Sequence, residues 1–124
     1  MQIKATRRSA FTLVEIMVVV AIIGLLASIA LPSWHRAREN AQLNSIGNNL
    51  RLLEGAKAQW ALENKKAASD TVTTTDLTSY LKNNTMPRTV VGETYEVNTV
   101  SDLVVAQTTA ILVGKPGPFT TTSF

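Results

Sequence analysis

The sequence predicts an α+β fold in which one long N-terminal helix packs, by its C-terminal half, on a small antiparallel β-sheet. Residues 11–31 form a 21-residue run with a single charge, and residues 33–64 continue it as an amphipathic stretch. Short β-type segments separated by turn signals follow residue 88. The predicted organisation is a leader (1–10), a membrane-spanning helix (11–32), its amphipathic continuation (33–64) and a β-rich head (65–124).

The apolar run reads FTLVEIMVVVAIIGLLASIAL. As a helix rising 1.5 Å per residue it is roughly 30 Å long, about the thickness of a bilayer's hydrocarbon core. The preceding segment is basic, with Lys4, Arg7 and Arg8. Because positive residues stay in the cytoplasm, we expect a single-pass membrane protein whose head lies outside.

Glu15 is the one charged residue of this run. A carboxylate in a spanning segment costs roughly 3 kcal/mol, so it requires a partner. The other polar side chains of the run, Thr12 and Ser28, do not supply one. The expected partner therefore comes from the leader, from interfacial water or from another molecule.

The basic leader, Ala10 and the run Phe11–Glu15 together resemble the processing signal of type IV pilins and of the pseudopilins of type II secretion. In that family a dedicated peptidase cuts before the apolar helix and N-methylates the new terminus, usually a Phe. The resemblance implies a cut between Ala10 and Phe11 and methylation of Phe11. The family normally has Gly where this chain has Ala10. The match covers roughly residues 4–38, under a third of the chain.

The resemblance also implies roles and partners. Glu15 would pair with the terminal amine at Phe11 of a neighbouring subunit, and Gly24 and Pro32 would be the two flexible points of the helix. The expected partners are copies of the chain in a helical filament, related minor pilins or pseudopilins, the prepilin peptidase, the inner-membrane assembly platform and, before assembly, membrane lipid. The filament would lie in the periplasm or on the cell surface.

Other interpretations of the apolar run fit less well. A secretory signal cleaved near Ser28–Ala30 has an apolar region of about 7–15 residues, shorter than this one. A plain membrane anchor needs neither Phe11 nor Glu15. A buried helix of a soluble protein would need more chain around it than 124 residues provide.

Pro32 and Gly24 should weaken the long helix. Pro32 removes the hydrogen bond to the Ser28 carbonyl, and its ring crowds that oxygen. Gly24 is unfavourable by roughly 1 kcal/mol relative to Ala. We therefore expect a helix from near Phe11 to near Asn64, bent near Pro32.

The amphipathic stretch carries one regular apolar stripe with spacings of three and four, typical of a helix face that covers a sheet. Its members are Leu43, Ile46, Leu50, Leu53 and Trp60. In the head, a short helix is expected over 76–81, capped by Thr75 or Asp76. Four segments are expected to form an antiparallel sheet of three or four strands: 89–91, 94–97, 103–106 and 110–113. The stretch after Gly114 is predicted to be a surface loop.

Composition argues against other functions. The net charge of +3 comes entirely from the leader, and the remaining nine basic residues balance nine acids, so nucleic acid is not an expected partner. The chain has no Cys and a single His, His35, and its last acid is Asp102. No catalytic group, cofactor or metal site is therefore predicted. Without disulfides, something else must hold the C-terminal end.

The predicted function is that of a structural subunit, a pilin or pseudopilin that polymerises through its N-terminal helix. One alternative is a DNA-uptake minor pilin, whose basic patch would be formed by Lys57, Lys65, Lys66 and Lys82. The other is a single-span anchored domain that never polymerises.

Overall fold

A computed structural model describes residues 10–124, so the leader up to Ser9 lies outside the described residues. The α+β class is confirmed: a long helix is followed by short elements and two small antiparallel sheets. The elements are α1 (Leu13–Glu63), α2 (Thr74–Thr78), β1 (Thr94–Glu96), β2 (Val105–Gln107), β3 (Ile111–Leu112) and β4 (Lys115–Pro116), with 3₁₀ turns at Lys82–Asn84 and Thr121–Ser123.

Helix α1 is 51 residues long and begins and ends within two residues of the predicted bounds. Pro32 lies inside it without ending it. By its contacts the chain divides into two units, one up to His35 and one comprising Arg36–Phe124. The second unit contains the sheets, and we call it the head.

The core of the head lies between the C-terminal half of α1 and the β-type segments. All five residues of the predicted stripe are buried, and Ile46, Leu50 and Leu53 are completely inaccessible to solvent. Their cluster is completed by buried residues that follow α1 in the chain: Val72, Leu77, Leu81, Val97, Val104, Ala106, Leu112 and Phe119. Because α1 supplies one wall of this cluster, the head has no core without it.

The sheet is divided into two pairs. β1 pairs with β2, with Thr94 opposite Gln107, and β3 pairs with β4, with Ile111 opposite Pro116. The prediction of a single sheet with three or four strands is therefore wrong, because the four strands form two separate two-stranded sheets.

The strand predicted over 89–91 is also wrong. The backbone N–H groups of Val90 and Val91 donate to the Glu93 carboxylate at 2.8–3.0 Å. Since a strand needs those donors for its ladder, the carboxylate holds this segment as a loop.

Helix α2 begins earlier than predicted because its cap lies elsewhere. Thr73 precedes the helix, and both its N–H and its hydroxyl donate to Asp76 Oδ2. Asp76 therefore occupies the third helical position of a capping box and does not cap the helix from outside. The helix ends at Thr78, before the predicted Leu81.

The C-terminal segment is packed against the head, and the predicted surface loop is wrong for it. Phe119 is only 1% exposed, and its backbone exchanges two hydrogen bonds with Ala106, at 2.8 and 3.0 Å. Thr121 Oγ1 donates to Glu54 on α1 at 3.0 Å. The Phe124 ring lies over Gly47, where an added Cβ would come within 3.2 Å of it. These contacts hold the segment in place of a disulfide.

Candidate functional site

The predicted cleavage point lies in a short non-helical segment ahead of α1. Ala10, Phe11 and Thr12 are exposed and lack helical structure, and the Phe11 side chain is 82% exposed. The helix begins two residues after Phe11. This segment is therefore accessible to a peptidase and is not held in a helix.

Glu15 has a partner within its own segment, contrary to the sequence-based expectation. The Thr12 N–H donates to Glu15 Oε2 at 2.8 Å, and the Glu15 N–H donates to Thr12 Oγ1 at 3.3 Å. This reciprocal pair is a capping box, and the carboxylate also lies at the favourable, positive end of the helix dipole. The pattern T-x-x-E was present in the sequence, and it is the signal that would have revealed this role.

The capping bonds leave the Glu15 carboxylate able to accept more donors. Of its two oxygens, only Oε2 accepts the hydrogen bond from the Thr12 N–H. An ionised carboxylate offers about four acceptor positions. Glu15 therefore caps its own helix and still presents an oxygen to a cation from outside.

The first half of α1 presents apolar side chains on every face. Each large apolar side chain from Leu13 to Leu31 is at least 52% exposed. The helix contains a stretch long and apolar enough, by length and composition, to cross a membrane. A surface of this size is stable only against lipid or against other apolar helices.

Gly24 and Pro32 interrupt this surface differently. Among residues 10–124, a Cβ added at Gly24 would meet nothing within 4 Å, so no packing there requires a glycine. Near Pro32, the Ser28 hydroxyl donates to the Leu25 carbonyl at 2.7 Å. A helical hydroxyl bonded back to the backbone often accompanies a bend. The flexibility of both positions stays a prediction.

A buried carboxylate links the segment around β1 to α1 within the head. Glu93 is 1% exposed and accepts the Tyr95 hydroxyl at 2.5 Å, while Asn49 of α1 donates from Nδ2 to the Tyr95 oxygen at 2.8 Å. Burial raises the pKa of Glu93, but the hydrogen bonds from Tyr95 and from the Val91 and Val90 N–H groups outweigh it, so the pKa lies below its ordinary value. Burial and the neighbouring Glu93 raise the pKa of Tyr95.

We expect Glu93→Gln to lower the free energy of unfolding of the head at pH 7 by about 1–3 kcal/mol, because the Gln amide brings two donors to a site already filled with donors. The folded pKa of Glu93 is below the unfolded value of about 4.3. Its contribution is therefore complete above that pH and lost as the pH falls through the folded pKa. Urea unfolding should show a smaller difference between variant and wild type at pH 3 than at pH 7.

Glu96→Gln is the matched control for this experiment. Glu96 lies exposed on β1 and accepts only the Gln107 side chain amide, at 3.1 Å. Its replacement should change stability little at either pH. A Glu93→Gln protein as stable as Glu96→Gln at pH 7 would contradict the buried network.

Lys57 lies inside the head, which excludes it from the basic patch of the DNA-uptake alternative. Its side chain is buried, and Nζ donates to the carbonyls of Val97 at 3.2 Å, Thr99 at 3.0 Å and Asp102. Burial lowers its pKa. Lys57 therefore fastens the 97–102 loop to α1 and presents no charge to a partner. Periodicity alone could not distinguish this from a surface lysine.

Within residues 10–124, no group of three or more His, Cys, Asp or Glu side chains could hold a metal ion. Each of the nine acids there accepts a hydrogen bond from a neutral donor, as with Glu39 and the Val113 N–H at 3.0 Å. The exposed, unusual feature of the described chain is the N-terminal half of α1.

A comparison with protein families matches this part of the chain. The family model described as the prokaryotic N-terminal methylation motif matches residues 5–31. Type II secretion system core protein G of Klebsiella pneumoniae is 40% identical over 60 residues, which cover 48% of this chain and 43% of that protein. The fimbrial protein of Pseudomonas aeruginosa is 39% identical over 59 residues (48% and 38%). Type IV major pilin protein PilA of Myxococcus xanthus is 39% identical over 57 residues (46% and 26%).

These matches cover less than half the length of each of those relatives. No solved structure matches the chain significantly. The residues that the motif matches include the non-helical segment before α1, Glu15 in its first turn and the exposed apolar run. Over the matched residues, the chain is similar to type IV pilins and to type II secretion system core protein G, and it carries their N-terminal methylation motif.

Proposed function

We propose that this chain is a structural subunit that polymerises through the first half of α1 into a filament of the type IV pilus or type II secretion pseudopilus kind. The observation that carries the proposal is the 13–31 surface, apolar on every face and exposed along its whole length. A single helix of this kind is stable in lipid, and many such helices are stable against each other. A filament core provides the second environment.

In this proposal the subunit has two states. Before assembly it is held in the inner membrane by residues 11–32, with Phe11 near the cytoplasmic face. On entry to the filament, the apolar helices pack side by side and exclude lipid. Within the head, the Lys57 and Glu93 contacts fix the later segments to the second half of α1, so these parts move together.

Glu15 sets the register between subunits in this proposal. Cleavage before Phe11 creates an α-ammonium whose charge is costly in an apolar core, as is the carboxylate's. A neighbour's amine at the free oxygen of Glu15 forms a charge-assisted hydrogen bond and removes both costs. The intrachain bond from Thr12 holds the carboxylate in place for that contact.

We expect cleavage between Ala10 and Phe11, followed by methylation of the new amine. The intact mass of the mature protein, purified from membranes, should equal that of residues 11–124 plus one methyl group. A mature chain that begins at Met1 or at Leu31 would contradict the proposal. Ala10→Gly is the control: it should give the same product, and at least as fast.

The two alternative functions, DNA uptake and membrane anchoring without polymerisation, require other features of the chain. A DNA-uptake subunit would need exposed cations, and with Lys57 buried the proposed patch keeps only Lys65, Lys66 and Lys82. An anchored domain that never polymerises has no use for a free carboxylate oxygen at position 15. Neighbouring genes would separate the two filament types: a secretin with secretion components indicates a pseudopilus, and a retraction motor indicates a pilus.

A further inference from the structure

The exposed apolar side chains of the head are concentrated on two surfaces. Among residues 36–124, the large apolar side chains that are exposed are Leu52, Leu62, Leu103, Ile111, Val113 and Phe124. Two of them, Leu62 and Leu103, line one groove. Two others, Ile111 and Val113, lie in the β3–β4 hairpin. Scattered apolar side chains are normal on a protein surface, whereas contiguous apolar patches mark interaction sites.

The groove lies between the end of α1 and the 100–103 loop. It is open to solvent and has a volume of about 510 Å³. Its apolar lining comes from both elements: Ala58, Ala61, Leu62, Val100 and Leu103. The Lys57 side chain also lines it, but the ammonium is satisfied by three backbone carbonyls. The groove therefore favours an apolar occupant.

The hairpin presents the second apolar surface. Leu112 points into the core, whereas Ile111 is 65% exposed and Val113 is 41% exposed. Pro116, directly opposite Ile111 in the register, is also exposed. Since residues opposite each other in an antiparallel pair project to the same face, Ile111 and Pro116 form one surface. We call Ile111, Val113 and Pro116 the hairpin patch.

The backbone at Val113 is unfavourable for the residue that occupies it. Val113 and Gly114 form the two-residue turn of the hairpin, with φ values of 51° and 74°. Such turns favour Asn, Asp or Gly, and a β-branched residue at positive φ is a genuine outlier. An exposed valine here stabilises neither the turn nor the core, which points to a contact outside its own chain.

The two surfaces carry opposite charges. Lys115 lies exposed in the hairpin, and Asp102 lies exposed beside Leu103 at the groove. A hairpin patch placed in the groove would bring this cation close to this acid. An exposed ion pair adds little affinity, but it favours one orientation of the contact over others.

The two surfaces lie at different levels along α1, so the contact is not made within one head. The Val113 N–H donates to Glu39 Oε2 at 3.0 Å. The groove is lined by Ala58 and Leu62, which lie about 20 residues further along the same helix. At 1.5 Å per residue the separation is roughly 30 Å. The hairpin patch therefore reaches a groove only on another copy of the chain.

We propose that the hairpin patch of one subunit inserts into the groove of a second copy of this chain. The inference rests on the proposed function, in which many copies lie parallel. Because the patch and the groove are different surfaces of one head, the contact is heterologous. Between parallel copies it repeats from subunit to subunit and does not close a dimer. The two heads are then displaced by roughly 30 Å along the direction of α1 in the head.

Cross-linking within filaments tests the contact, since the chain has no Cys of its own. Ile111→Cys and Leu62→Cys are combined in one chain, and sheared filaments of that chain are treated with a short bismaleimide. We expect a ladder of multimers, because each subunit contacts one neighbour through its hairpin and another through its groove. The matched control combines Ile111→Cys with Lys82→Cys, which is exposed but does not line the groove, and it should give several-fold fewer multimers.

The outcomes separate this inference from the proposed function. Filaments with no more cross-linking at position 62 than at position 82 would overturn the inference and leave the proposed function intact. Absence of filaments from the wild-type chain would overturn the proposed function, and the inference with it. In wild-type filaments, electron cryo-microscopy should place Ile111 within about 4.5 Å of Leu62 or Leu103 of another subunit. A solvent-exposed Ile111 in that structure would also overturn the inference.

Val113→Asn separates the contact from the fold. Asn suits the positive φ of the turn, so the melting temperature should stay the same or rise. In the chain with Ile111→Cys and Leu62→Cys, the same change should reduce the yield of multimers several-fold. An undiminished ladder from a folded Val113→Asn protein would overturn the role of Val113 in the contact.

Discussion

Replacing Glu15 with Gln is expected to leave the subunit inserted and cleaved but to reduce the yield of sheared filaments sharply. Gln keeps the size of the side chain, and its carbonyl oxygen can still accept the Thr12 N–H. It cannot neutralise the amine of a neighbour. Removing one partner of a buried ion pair costs about 3–5 kcal/mol, which corresponds to more than about a hundredfold in association.

Thr12→Val is the control that separates capping from pairing. It removes the hydroxyl that accepts the Glu15 N–H, and it keeps both the Glu15 charge and the Thr12 N–H. Filament yield should stay near that of the wild type, because losing this cap costs about 1 kcal/mol. Wild-type amounts of filament from a strain carrying only Glu15→Gln would rule out the pairing mechanism.

Phe119→Ala should destabilise the head by about 3–5 kcal/mol, the usual cost of removing a buried aromatic ring from a core. Phe119 is almost completely buried, and its backbone is paired with Ala106 of β2. The expected result is a marked loss of urea resistance, followed by near-UV circular dichroism in detergent.

Phe124→Ala is the control for this experiment, because it removes a ring from the same C-terminal segment. The Phe124 ring is 39% exposed and contacts the head over Gly47 and beside Phe119. We expect a loss of about 1 kcal/mol. Equal, small losses of stability for both variants would mean that packing of the Phe119 ring does not hold the C-terminal segment on the head.

The parts that were predictable are those encoded by local pattern. The apolar run, its length and the regular stripe of α1 depend on the spacing of neighbouring residues, and the helix bounds agree within two residues. The role of Glu15 as a cap was also encoded locally, by Thr12 three residues earlier. An argument that treats the carboxylate as an isolated charge in lipid does not reveal this role.

The parts that were not predictable depend on contacts between distant residues. The 89–91 segment has strand-forming residues. It is not a strand because its backbone N–H groups donate to the buried Glu93 carboxylate and are not available to a neighbouring strand. Lys57 has the spacing of a core position, but a lysine is usually found at the surface. It is buried because its ammonium group donates to three backbone carbonyls that lie 40–45 residues later in the chain. Phe119 is buried in the core cluster, where its backbone pairs with Ala106 of β2, and nothing in the local sequence of the tail indicates this.

The most direct test of the central claim is the structure of sheared filaments by electron cryo-microscopy. The account predicts a core of packed 13–31 helices, with each Phe11 nitrogen within about 3 Å of the Glu15 carboxylate of a neighbouring subunit. A filament in which Glu15 contacts only Thr12 of its own chain, with the Phe11 amine in solvent, would contradict it.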